Sequence, residues 1–308
     1  MNILFVGRGI ISTEYAWAFE KAGHRVEFYV REGKAAQYGG NVKLDFVDGR
    51  KGAKVQENWP ITCRESLDNS MNYDLIVVSV NHYQLSGVID VLAPYIGKAT
   101  VLLFNNLWED PLKAIAPIPP EQVVWGFPGG GGGFYSDGTL RGGFLKLMFL
   151  GKVGDSGSGE RYKSVYTLFK NAGFSVSQSR DFRSWLWIKF VMNAALEAMA
   201  IKAGSYGKLF DSPKYTKQAA LLMKEMMPLL KAKGAKMGSG PGILLHLPAG
   251  LTGFILHKTM PKGSLGRDIM EHCELTGHVA QEAANTFSRD IMKEARELGI
   301  SLPGLESL

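Results

Sequence analysis

In the stretch SWLWIKFVMNAALEA (184–198), Lys189 stands among Trp185, Trp187 and Phe190, and Asn193 and Glu197 follow at four-residue steps. Residues four apart share one side of an α-helix, so these three polar groups form a stripe on an otherwise apolar helix. A lysine on a solvated helix face keeps company with other charges, and this one does not. Either it snorkels, burying its stem and sending the ammonium to water, or it points into a cavity. In an apolar cavity the neutral amine is favoured, which makes the ammonium a better proton donor near neutral pH. A keto group that accepts hydride needs such a donor for its oxygen, so the chemistry in question is carbonyl reduction.

Hydride chemistry calls for a dinucleotide, and the N-terminus carries a matching motif. Gly7-Arg8-Gly9-Ile10-Ile11-Ser12 directly follows the apolar run NILFV (2–6) and opens the helical pattern TEYAWAFEKAG (13–23). The first glycine permits a tight turn and the second lets the backbone approach a pyrophosphate. The free N–H groups of the helix start then face that anion. Ser12 holds the third glycine position and is still small enough for close helix–strand packing. At the end of the second strand, where an NAD enzyme places an acidic residue for the ribose hydroxyls, stand Arg31, Glu32 and, nearby, Lys34. Neighbouring residues leaving a strand point to opposite faces. Arg31 is taken as the residue that reaches the ribose, with Lys34 adding field, and the expected cofactor is NADPH. The bland alternatives are a glycine turn that binds something else and a solvated basic edge.

These groups need a scaffold. RVEFYV (25–30), YDLIVVSV (73–80) and ATVLLF (99–104) repeat the pattern of a continuous apolar run ended by polar residues. That pattern belongs to buried parallel strands, and strands alternating with helices imply a doubly wound sheet. VKLDFVDGRKGAKV (42–55) reads as a β-hairpin excursion, and QVVWGF (122–127), FLKLMFLG (144–151) and FSVSQ (174–178) as strands at the far edge. The glycine run 129–133 reads as a mobile turn at the sheet edge; its functional alternative is a close backbone approach to substrate or cofactor. From about residue 181 helical patterns dominate, over 183–203, 212–234 and 264–298, punctuated by glycine and proline at 234–242, Pro248 and Pro261. The expected fold is α/β: an N-terminal Rossmann-type doubly wound parallel sheet over residues 1–180, then an all-α C-terminal domain over 181–308.

Composition narrows the function classes. The net charge of +6 comes from scattered basic residues rather than runs, which suits a small anionic ligand and offers no basic, aromatic-interleaved stripe for nucleic acid. Cys63 and Cys273 have no metal-type or redox-type spacing, which fits a reducing compartment. His246, His257, His272 and His278 show no ligand spacing, so no metal is expected. No apolar run reaches the span of a bilayer, and MNILFVGRG lacks the basic n-region of a signal peptide. A soluble, cytoplasmic protein without membrane or nucleic-acid partners is the expectation. Met223, Met226 and Met227 suit either a helix core or a dimer face, leaving a homodimer open.

Taken in chain order, the N-terminal dinucleotide motif, Asn105 in FNN (104–106) and the lysine of WIKFVMN resemble the ketopantoate reductase (2-dehydropantoate 2-reductase) family. The resemblance covers most of the chain, including GSLGRD and the final IMKEARELGISLP. It implies that Lys189 is the general acid, that Asn105 contacts cofactor and substrate, and that Asn193 and Ser264 hold the substrate, Ser264 through its carboxylate. It also implies NADPH-dependent reduction of a small 2-oxo acid to the 2-hydroxy acid, as in pantothenate biosynthesis. The chain departs from the family pattern at three positions. Glu197 replaces a second asparagine, Asn81 replaces a lysine in a V-K-x-x-Q segment that keeps Gln84, and Thr276 replaces a glutamate. Glu271, Glu274 and Glu282 are candidate substitutes for that glutamate, and Glu197 is a candidate for part of its work at the substrate. The departures bear on the substrate more than on the chemistry. Two alternatives stay open: a related dehydrogenase of another hydroxy or imino acid, and a non-catalytic NADPH-binding sensor. A pure sensor has no need of a proton donor such as Lys189.

Overall fold

The structure, a computed structural model, describes residues 1–68, 72–154, 159–276 and 286–308. The chain forms two compact units, Met1–Phe182 and Arg183–Leu308.

In the first unit, strands β1 (Asn2–Val6), β2 (Arg25–Tyr29), β3 (Asn41–Gly49), β4 (Ala53–Pro60), β5 (Cys63–Arg64) and β6 (Leu75–Val78) are followed by β7 (Thr100–Leu103), β8 (Val123–Phe127), β9 (Gly130–Phe134), β10 (Thr139–Leu145), β11 (Leu147–Gly151) and β12 (Ser175–Ser179). Eight of them make one sheet in the order β12-β11-β8-β7-β6-β1-β2-β5. All neighbours run parallel except β11 and β8, which are antiparallel. The central strands are buried on both faces, as their unbroken apolar sequences require. The first helix, Ile10–Glu20, starts earlier than its apolar pattern indicates, with Gly9 as its extended N-cap.

The remaining strands form a second sheet, β4-β3-β10-β9, which corrects two sequence expectations. The run FLKLMFLG is not one edge strand: Phe144 and Leu145 end β10 in the small sheet, and only Leu147–Gly151 joins the large one. The glycines of 129–133 are not a mobile turn either, because four of them build β9. Gly132 pairs with Gly142 across the β9–β10 ladder, both at positive φ (147° and 138°). A Cβ at Gly132 would collide with the Arg141 carbonyl, and one at Gly142 with that of Gly131. The side chains are missing because two strands pass too close for them. A buried ion pair pins this sheet to the core. Arg50 bonds Asp48 at 2.8 Å, donates to the Ala172 carbonyl at 2.7 Å, and lies over the rings of Trp17, Phe144 and Phe174.

The second unit is helical among its described residues. Its long first helix, Phe182–Ala203, carries apolar side chains around most of its circumference, as a buried helix must. The pattern over 212–234 resolves into Pro213–Glu225 and Met227–Ala232, divided where Pro228 enters the first turn of the second. Met223 and Met226 are fully buried, so they serve the core. The helical reading of 264–298 yields Leu265–Leu275 and Thr286–Glu297, and its middle lies outside the described residues. No helix is long and apolar enough to cross a membrane among the described residues.

Candidate active site

The chain leaves β1 toward β2 and returns across it to β6, so the strand order reverses between β1 and β6. Ligands of open α/β sheets bind outside the carboxyl ends of the strands at such a switch point. Several of the residues predicted from the sequence lie there. Gly7, at φ 79°, turns the chain and donates its N–H to the Tyr29 carbonyl at 2.7 Å. Gly9 caps the helix without a side-chain bond, so Ile10, Ile11 and Ser12 enter the first turn with amide N–H groups suited to an anion. Ser12, 1% exposed, places its Oγ 2.7 Å from the Oγ of Ser79, tying the glycine turn to the end of β6. Asn105 lies just beyond β7 and is 2% exposed; its Nδ2 donates to the Val80 carbonyl at 2.6 Å.

The Asn105 Oδ1 is buried with no hydrogen-bond partner. A buried amide oxygen left so is costly and fits a donor from a bound group, such as the carboxamide N–H of a nicotinamide. A second buried polar atom without a partner is the Nε of Arg8. The Arg8 guanidinium carbon lies 4.2 Å from the Tyr38 ring centroid and 4.4 Å from that of Phe134. These features fit the dinucleotide that the glycine motif predicts. Arg31 is exposed beyond β2, and Lys34 donates to the Gln37 Oε1 at 2.7 Å. Ser79, Tyr38 and Phe134 escape the sequence reading. Ser79 carries a weak signal, a polar residue ending an apolar strand; Phe134 only closes a glycine run.

On the helix Phe182–Ala203, Trp185, Trp187 and Phe190 are buried and Lys189 is only partly exposed. The Lys189 ammonium donates to the Asn193 Oδ1 at 2.6 Å, the contact that four-residue spacing makes available. Burial pushes the Lys189 ammonium down to about 8. Glu197, a further turn along, is 4% exposed and raises the pKa of Tyr206 by its charge, after burial. A stripe of lysine, asparagine and glutamate is therefore present, and its first member is set to give up a proton near neutral pH.

The other predicted positions have structural work. Ser264 is the N-cap of Leu265–Leu275, its Oγ accepting from the Arg267 N–H at 3.4 Å. Glu271 accepts from the Arg267 Nε at 2.6 Å, and Glu274 from the Tyr206 N–H at 3.0 Å. Thr276 ends the helix, its hydroxyl donating to the His272 carbonyl at 2.8 Å. Glu282 and His278 lie outside the described residues. Asn81 caps a short 3₁₀ turn in a reciprocal arrangement with Gln84. Among the described residues no His, Cys, Asp or Glu group is arranged to hold a metal ion.

Comparison with known proteins finds matches to both halves of the chain. The family model described as Ketopantoate reductase PanE/ApbA matches residues 3–134, and that described as Ketopantoate reductase PanE/ApbA C terminal matches residues 181–308. The 2-dehydropantoate 2-reductase of Vibrio cholerae serotype O1 is 24% identical over 246 residues, covering 76% of this chain and 74% of that protein. In fold, the chain is similar to D-mandelate dehydrogenase solved with NADH and anilino(oxo)acetate, with a TM-score of 0.76 at 15% identity, covering 99% and 95% of the two chains. It is similar also to 2-dehydropantoate 2-reductase from Geobacter metallireducens GS-15, with a TM-score of 0.73 at 16% identity, covering 100% and 97%. With both halves matched, the chain belongs to the ketopantoate reductase family and is an oxidoreductase acting on CH–OH groups.

Proposed function

We propose that the protein reduces a small 2-oxo acid to the 2-hydroxy acid with NADPH, and that Lys189 protonates the carbonyl oxygen. The observation that carries this reading is the Lys189 ammonium, desolvated and anchored at 2.6 Å by Asn193. The bond to Asn193 fixes where the ammonium points. The asparagine accepts without adding charge, so it orients the ammonium while leaving its acidity intact. Bound NADPH supplies the hydride. Residues 7–12 hold its pyrophosphate through backbone N–H groups and a positive helix end. Asn105, fixed through the Val80 carbonyl, offers its free Oδ1 to the carboxamide. Arg31 and Arg8 supply positive charge on the ribose side. Ser264 keeps a hydroxyl proton to donate to a substrate carboxylate while its oxygen caps the helix.

The substrate need not be ketopantoate. Asn81 is occupied with capping, and a carboxylate, Glu197, stands where the family has a neutral asparagine. Both changes alter the field that an anionic substrate meets, so another 2-oxo acid is the expected best substrate. NADPH oxidation with linear, branched and aryl 2-oxo acids, ketopantoate among them, tests this. Oxidation with none of them overturns the reductase reading in favour of a dinucleotide sensor. Ketopantoate turnover as efficient as any overturns the substrate assignment alone.

A further inference from the structure

The guanidinium carbon of Arg8 lies 4.2 Å from the ring centroid of Tyr38 and 4.4 Å from that of Phe134. Two aromatic rings this close restrict how the side chain can turn, and a guanidinium fork so positioned matches a phosphate. The Nε is buried and has no partner. The residue also stands at a telling place. Its neighbour Gly7 is bonded to the Tyr29 carbonyl at the end of β2, and Tyr38 closes the short helix Lys34–Tyr38 that follows that strand. The end of the second strand is where the adenosine ribose is read. Arg31 leaves the same strand end, but it is exposed, and exposed charges contribute little to an ion pair.

We infer that Arg8, clamped by Tyr38 and Phe134, is the principal reader of the ribose 2′-phosphate, with Arg31 in a minor role. The inference rests on the dinucleotide reading above and names the residue that sets the choice between NADPH and NADH. It also gives the small sheet a function. Phe134 ends β9, so the glycine strand delivers one wall of the clamp. Arg8 is less exposed than Arg31, so a phosphate gains more from it than from Arg31 and the preference for the phosphorylated nucleotide should rest mainly on Arg8.

The test is binary binding, without substrate, of NADPH, NADH, 2′,5′-ADP and 5′-ADP to the full chain at fixed ionic strength, by calorimetry. Arg8→Ala should weaken NADPH and 2′,5′-ADP by about ten- to a hundredfold, the worth of hydrogen bonds to a charged group. NADH and 5′-ADP should bind as before. Phe134→Leu, which keeps the charge but lets the side chain turn more freely, should show a smaller loss confined to the same two ligands. Arg31→Ala should cost less than Arg8→Ala. Equal losses for NADPH and NADH would mean that Arg8 holds the pyrophosphate, and no loss that the stack is structural only; either overturns the inference and leaves the dinucleotide site standing. A wild type that prefers NADH also overturns it alone. A wild type that binds neither nucleotide overturns the dinucleotide reading with it.

Discussion

A lysine held at about 8 has lost half its protons where an exposed lysine is still fully charged. In the proposed role of general acid for carbonyl reduction, Lys189 must be protonated, so turnover should fall as pH rises through about 8. Oxidation of the hydroxy acid needs the neutral amine and should rise over the same interval. Stability has the opposite sign from reduction. Between about 8 and the ordinary value of 10.5 the unfolded chain holds this proton and the folded one does not, so this group's contribution to stability rises with pH there. Lys189→Ala should lower turnover by roughly two to four orders of magnitude, the usual worth of acid–base catalysis, and leave NADPH binding little changed. Asn193→Asp places a charge against the ammonium and should move the alkaline limb upward. A pH–rate profile of the three proteins checks both; near-normal turnover of Lys189→Ala would sink the mechanism. Lys189 and Asn193 are legible in the sequence because the aromatic residues around them leave no polar face for a lysine. The free Oδ1 of Asn105 is not, since it depends on which carbonyl takes the other end of the amide.

The element with the least legible sequence is the glycine strand β9, and its partner is Glu14. This carboxyl projects from the helix Ile10–Glu20 with no exposed surface. The amides of Gly143 and Gly131 face its oxygens without closing into well-formed hydrogen bonds. A Cβ at Gly130 would lie 2.7 Å from the Glu14 Oε2. Glycines read one by one look like a turn; a helix carboxyl and a facing strand explain them together. Burial holds the Glu14 carboxyl well above the ordinary 4.5, against the two amides. The folded protein therefore keeps a proton that the unfolded chain releases above about 4.5. Stability from this group is complete below that value and declines as pH rises toward the folded value. The neighbouring Tyr15, whose hydroxyl burial also pushes up, stays protonated throughout this interval. Glu14→Gln carries no such proton, so its thermal midpoint should gain on the wild type as pH rises above about 4.5. Parallel midpoints across that range would show that Glu14 is not buried neutral. Gly132→Ala should be strongly destabilising at every pH, because the β9–β10 backbones must separate to admit it.

At the scale of the whole molecule, the large sheet and the helical second unit follow from local patterns, because each strand is a continuous apolar run between glycine or polar stops. The small sheet does not follow. Its strands are interleaved in sequence with those of the large one, and its central pairing joins Lys43 to Thr139 in parallel. No local period reveals which sheet a strand joins. The division into units gives a last expectation about the cofactor. All the residues assigned to the dinucleotide, 7–12, Arg31 and Asn105, belong to the unit Met1–Phe182. A ligand that binds only the folded state stabilises it by about 2.7 kcal/mol at a hundred times its Kd. For a domain of this size that is a shift of about 5–10 °C in thermal midpoint. NADPH at such a concentration should produce that shift, and NADH at the same concentration a smaller one. Hydrogen exchange should slow first at 7–12 and around Asn105, where amides meet the ligand, while the helices Pro213–Glu225 and Ala249–Thr259 exchange as before. Protection that begins in those helices and leaves 7–12 untouched would place the dinucleotide elsewhere, and the glycine motif would then be a turn and nothing more.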